Sequence, residues 1–196
     1  SVGLSDSRSV FGLMPRMRLP AEQIRDQFLS VSDLLDARIG GPSVFPLQPD
    51  GFYEERGQNT AGNSNFTWKV SVPKNRYRKS MYVYWKRMAL HPSFAAFDAP
   101  TRQVCVAKRS ISNTPQQALV TLNDPMFDEC SKTLSKKLSG FGKGKTDEGL
   151  DYAFMKCLGR IPNNEERTRF QKLLKSDGWY SVCVVLLNLD EALTRE

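Results

Sequence analysis

Apolar residues recur at helical spacing in several separate stretches of this 196-residue chain. From Ala21 to Ile39, the residues Ile24, Phe28, Val31 and Leu35 come round once per turn, with Leu34 beside them. That rhythm lays one apolar stripe along a helix. Gly40-Gly41-Pro42 then supplies a stop, because glycine takes up the left-handed cap geometry and proline cannot continue a helix. A helix over 21–39 is predicted. Tyr77 to Ala89 reads as a second, with Tyr77, Met81, Tyr84, Trp85 and Met88 in one stripe and Arg78, Lys79, Lys86 and Arg87 on another side. Asn113-Thr114-Pro115 and Asp124-Pro125 are start signals, a capping side chain followed by proline in the first turn. They predict one helix to about Asn123 and another carrying Phe127, Cys130, Leu134 and Leu138 on one face.

The last third is the clearest helical region, with a turn at Gly159-Arg160-Ile161-Pro162 and a helix preferred to a buried strand over Val182 to Leu187. Asp147 and Glu148 favour a helix start ahead of Leu150, Phe154, Cys157 and Leu158. Asn163 and Glu166 have capping-box spacing before Phe170, Leu173 and Leu174. Asp177-Gly178 should end that helix, and Trp179, Val182, Leu186 and Leu193 continue at helical intervals. Two stretches have the other period. Phe66 to Val72 alternates apolar and polar up to Pro73, and Gln103 to Ala107 is a shorter β-branched run. These could pair as a ribbon. Residues 42–65, rich in Pro, Gly and Asn, should form a long loop.

The fold expected is therefore mainly α: a helical bundle-like domain with a small two-stranded β element and long irregular loops. It should be a single domain, a helix and β-ribbon part over 19–139 and a three-helix unit over 146–194. A 40% hydrophobic, 25% charged composition is ordinary for a folded domain and argues against disorder. No apolar run approaches the length of a bilayer-spanning helix. The start, Ser1-Val2-Gly3-Leu4, has neither Met nor a leader pattern, so an excised domain or a mature product is expected.

The net charge is +7, and residues 74–145 hold 14 basic groups against 4 acidic ones. Such a concentration favours a polyanionic or acidic partner, although a merely solvated basic face has the same composition. Candidate contacts are Lys74, Arg76, Arg78, Lys79, Lys86, Arg87, Lys108 and Arg109. A polar cluster, Asp98, Arg102, Asn113, Gln117 and Asn123, borders two loop-to-helix junctions. Its members either satisfy one another or share a pocket.

Reactive chemistry is hard to assemble. His91 is the only histidine and precedes Pro92 without a recognisable triad. Glu22/Asp26 and Asp124/Asp128 are four apart on helices, where capping and surface pairing account for them. Cys105, Cys130, Cys157 and Cys183 form no Cys-x-x-Cys pair, so neither a zinc site nor haem attachment is expected. The last three fall on apolar helix faces, as buried thiols do. Gly142-Lys143-Gly144-Lys145 lacks phosphate-loop spacing. No catalytic residue and no metal ligand is assigned.

Several strings together carry a resemblance. They include Arg18-Leu19-Pro20-Ala21-Glu22-Gln23-Ile24-Arg25-Asp26, Gly40-Gly41-Pro42-Ser43-Val44, Tyr77-Arg78-Lys79-Ser80-Met81-Tyr82 and Phe97-Asp98-Ala99-Pro100-Thr101-Arg102. Ser112-Asn113-Thr114-Pro115-Gln116-Gln117-Ala118-Leu119, Leu122-Asn123-Asp124-Pro125, Leu158-Gly159-Arg160-Ile161-Pro162 and Leu186-Leu187-Asn188-Leu189-Asp190-Glu191 follow in order. From about residue 11 to the end, the chain resembles the planctomycete-specific C-terminal domain family, domain of unknown function 1553. It departs from the family pattern at His91-Pro92-Ser93 and Ala192-Leu193-Thr194. The resemblance implies the closing module of a larger bacterial protein, exported or periplasmic, sometimes with a cytochrome c module upstream. Any haem would belong to that absent part, with no cofactor in this chain.

The leading expectation is a non-catalytic interaction or accessory domain whose partner is an upstream domain of the parent or a companion protein. Polyanion binding, to nucleic acid or an acidic polysaccharide through 74–109, is the alternative. A carbohydrate-processing enzyme would rest on Tyr53, Trp68 and Trp85 with two converging carboxylates.

Overall fold

A computed structural model describes residues 17–49, 68–86, 90–141 and 145–195. The elements in order are β1 (Met17–Arg18), α1 (Ala21–Val31), α2 (Pro73–Arg76), a 3-10 turn (Ser80–Tyr82) and α3 (Pro92–Ala96). Then come α4 (Pro115–Asn123), α5 (Pro125–Ser139), α6 (Thr146–Leu158), α7 (Asn164–Asn188), α8 (Asp190–Leu193) and β2 (Thr194–Arg195). The architecture is mainly α with one small two-stranded antiparallel sheet.

The core forms where the sequence periodicity is cleanest. Phe127, Cys130, Leu134 and Leu138 of α5 are fully buried, as are Leu150, Ala153 and Phe154 of α6 and Val182, Cys183, Leu186 and Leu187 of α7. Phe28 of α1 meets Phe127 edge-on at 4.6 Å, and Phe154 meets Phe170 at 5.0 Å. The Asp124 carboxylate accepts the Met126 N–H to cap α5. Asn163 and Glu166 close a reciprocal capping box at the start of α7. Gly149 lets α6 pass close to α7: a Cβ there would lie 2.8 Å from the Trp179 ring. Gly178, non-helical at φ 78° and ψ −178°, divides α7 into two helices joined across a kink, as Asp177-Gly178 predicts. A side-chain-bearing residue resists that angle.

Three sequence expectations are corrected. The first helix stops at Val31, eight residues before Ile39. Asp33 takes a left-handed φ of 57°, the Leu34 N–H returns to the Leu29 carbonyl, and the Ser32 hydroxyl donates to the carbonyls of Phe28 and Leu29. This is a Schellman-type stop with aspartate in the place glycine usually holds.

The helix expected over 77–89 is also absent among its described residues. Ser80–Tyr82 is a single 3-10 turn, and Val83 to Lys86 is irregular. Long-range bonds claim the backbone groups that such a helix would use. Arg25, buried in α1, donates to the carbonyls of Arg76 (2.7 Å) and Arg78 (2.8 Å), while Asp26 accepts the Ser80 N–H (2.7 Å). Val44 bridges Val83, exchanging bonds with Tyr82 and Tyr84.

The expected ribbon is the third correction. Phe66 and Thr67 lie outside the described residues, and 68–72 is not a strand. Ser71 is tied to Phe45 by two hydrogen bonds, but Val70 and Val72 point to solvent. Gln103 to Ala107 is not a strand either. The two-stranded sheet is instead built from Met17–Arg18 against Thr194–Arg195, outside both expected strands.

Candidate functional site

Between α3 and α4 the chain leaves the body of the protein. Every residue from Thr101 to Ser110 is exposed, and Val104, Val106 and Ile111 expose 70%, 56% and 60% of their surfaces. Both ends of this arm are fixed. At one end the Arg102 guanidinium lies 3.9 Å over the Trp85 ring, with Arg102 itself at a left-handed φ of 61°. At the other the Asp98 carboxylate accepts the Ser112 N–H (2.7 Å) and hydroxyl (2.6 Å), and the buried Gln117 amide donates to the Ser112 hydroxyl (3.1 Å). Arg109 pairs with Glu22 of α1 at 2.9 Å.

The polar cluster read from the sequence is thus drawn together only in part. Asp98 and Gln117 meet through Ser112, which the sequence did not single out. Its signal is its place beside the Asn113-Thr114-Pro115 helix start. Arg102 stands at the opposite end of the arm, Asn113 is exposed, and Asn123 bonds the Leu119 carbonyl at the far end of α4. A cavity of about 190 Å³ lies at the foot of the arm. Leu19, Pro20, Phe97 and Ile111 give it apolar walls, and Arg18 and Arg109 lie at its polar side.

The basic residues do not share one surface role. Arg78 is buried, donating to the carbonyls of Gly40 and Pro42 with its guanidinium 3.9 Å over the Tyr82 ring. Arg76 pairs with Glu129 at 2.9 Å, and Glu129 also accepts the Tyr77 hydroxyl. Lys79 and Lys86 are half-buried, Lys74 and Lys108 are exposed, and Arg87 lies outside the described residues.

The titratable groups are held in structural bonds. His91 is buried, and its Nε2–H donates to the Leu47 carbonyl, which leaves Nδ1 to accept the Ser93 hydroxyl. Burial lowers its pKa to about 4, so the ring is neutral. Burial raises the Cys130 and Cys157 thiols to about 12 and pushes Cys183 up as well. Such thiols are poor nucleophiles. Cys105 is exposed and free. Glu22 is bonded to Arg109, Asp26 to Ser80, and Asp128 to Lys132 and Tyr180. Trp68 donates to the Pro46 carbonyl, Trp85 stacks under Arg102, and Tyr53 lies outside the described residues. No group of three metal-ligating side chains occurs among the described residues, and no described helix is long and apolar enough to cross a membrane.

What this geometry defines is a helical domain presenting one tethered, apolar and basic arm. The chain belongs to the PSD1 family, described as a protein of unknown function (DUF1553), whose model matches residues 5–174. Comparison with curated proteins and with solved structures gives no match.

Proposed function

We propose that this chain is a non-catalytic interaction domain, and that the arm over 101–111 is its contact surface. The observation that carries the reading is the arm itself. Three large aliphatic side chains stand in water on a segment fixed at both ends. Clustered apolar exposure of this kind marks a contact surface. The bonding of His91, the buried thiols and the carboxylates supports a scaffold rather than a reaction centre. The partner in this reading is an upstream domain of a larger exported bacterial protein, or a companion of it. That setting, with any cytochrome c module outside this chain, is suggested by the planctomycete family resemblance alone.

A photo-crosslinking residue at Val106 of the full-length parent tests the reading. It predicts a covalent adduct with another domain or a companion protein, and no such adduct from the control position Ile39, which is more exposed than Val106. Adduct formation from Ile39 alone, or from neither position, contradicts it.

Polyanion binding is the second reading. It is favoured by the absence of any Asp or Glu from Thr101 to Asn123 while Arg102 and Lys108 are exposed. The inward bonding of Arg76 and Arg78 leaves few charges for it. Binding to heparin or an oligonucleotide would then show a shallow salt dependence, equivalent to roughly two or three phosphates. No retention at low salt eliminates it.

A further inference from the structure

Resting on the interaction reading, we propose that the exposed arm acts as an added β-strand, and that it pairs with an acidic, apolar strand edge of another polypeptide. Period two places Arg102, Val104, Val106 and Lys108 on one side of an extended chain, with Gln103, Cys105, Ala107 and Arg109 on the other. The first side is apolar in the middle and positive at both ends. Its β-branched centre favours a pleated, paired surface. In the free domain, residues 104–111 make no backbone–backbone hydrogen bond to the described residues, and the chain bends at 102–104 and 107–108. An exposed β-rich segment without backbone pairing to the described residues over 104–111 is a template for strand addition.

Charge selects the occupant. No acidic residue lies between Thr101 and Asn123, so a complementary strand carries carboxylates opposite Arg102 and Lys108 and aliphatic side chains opposite the two valines. A second copy of the chain is a poor occupant. Antiparallel pairing centred on Cys105 sets Arg102 against Lys108 at both ends, and parallel pairing sets each cation against itself. Both arrangements oppose like charges.

The probe is the peptide acetyl-Glu-Thr-Val-Thr-Val-Thr-Glu-amide, titrated into the whole domain and followed by NMR with amide exchange. The expected result is at least about tenfold slower exchange at Val104 to Ala107 when the peptide is bound. Added salt should weaken binding, and the lysine-for-glutamate peptide should not bind. The double variant Val104→Asp, Val106→Asp, altered only at exposed positions, should keep its melting temperature and lose the peptide. Absence of protection at 104–107, equal binding by the lysine peptide, or self-association of the domain through the arm each overturns the proposal. The crosslink from Val106 separates the two ideas. An adduct without strand-type protection leaves the interaction reading standing and removes strand pairing, whereas loss of both removes both.

Discussion

The helices from Asp124 to Leu193 and the stretch from Trp68 to Asn123 obey different rules. In the first, helical backbone groups away from the helix ends bond within their own helix, and the apolar side chains face one core through α5, α6 and α7. In the second, short turns hang on side chains from elsewhere: Arg25 and Asp26 of α1 hold the chain at 76–80, and Asp98 and Gln117 hold Ser112. A region built from local bonds is stable wherever its stripe is buried. A region built on borrowed bonds depends on a few individual side chains, and is free to push a segment such as 101–111 into solvent.

Breaking one of those borrowed bonds should have the largest effect. Arg25→Ala would leave the carbonyls of Arg76 and Arg78 and the Ser80 hydroxyl without their donor, at a cost of about 3–5 kcal/mol. Urea denaturation measures it. A loss below about 1 kcal/mol would mean that the 76–80 turn does not depend on α1.

Acid titration sharpens the contrast next. Burial raises Asp124 to about 6 from its usual 3.8 and lowers His91 to about 4 from 6.5. Folded Asp124 keeps a proton that the unfolded chain has lost, so its contribution is present below the unfolded value and disappears as pH rises through about 6. Folded His91 refuses a proton that the unfolded chain takes up. Its contribution is present above pH 6.5 and lost as pH falls toward 4. The two slopes oppose each other across one window, with Arg25 acting on both groups. Asp124→Asn keeps an oxygen for the α5 cap and removes one slope. The variant should therefore lose stability on acidification from about pH 6.5 to 4 more steeply than the parent, by on the order of 3 kcal/mol. Parallel pH profiles of the two proteins would contradict this.

Within the helical region, Gly149→Ala drives a methyl against Trp179 and should cost about 1–3 kcal/mol, read as a lower melting temperature. An unchanged melting temperature would show that α6 and α7 do not approach this closely. The smallest effect belongs to the arm. Arg102→Ala loses one exposed stacking contact on Trp85 and should change stability by less than about 0.5–1 kcal/mol. A larger loss would make the arm part of the fold.

The same contrast explains what could be read in advance. The start of α4 at Pro115, the Asp124 cap, the capping box at Asn163 and the buried faces of α5 and α6 were all legible, because local chemistry decides them. The early stop of α1 was not: Ile24 to Leu35 keeps its period, and only tertiary partners of Asp33, namely Lys137 and Lys156, reveal the turn. Tyr77 to Ala89 has a helical stripe, yet the deciding group, Arg25, lies some fifty residues earlier and looks like a surface arginine. Of the polar candidates, Asp98 and Gln117 do face a common partner, but Ser112 between them is marked only by its place beside the Asn113-Thr114-Pro115 helix start. Gln103 to Ala107 has the composition of a strand, yet Val104 to Ala107 form no backbone pairing with the described residues.

Hydrogen exchange across the free domain tests this division most directly. The account predicts that amides of Phe127 to Leu138 and Val182 to Leu187 exchange only on global unfolding, while those of Val104 to Ile111 exchange close to the rate of an unstructured peptide. Protection of the arm comparable to that of the helices would contradict it.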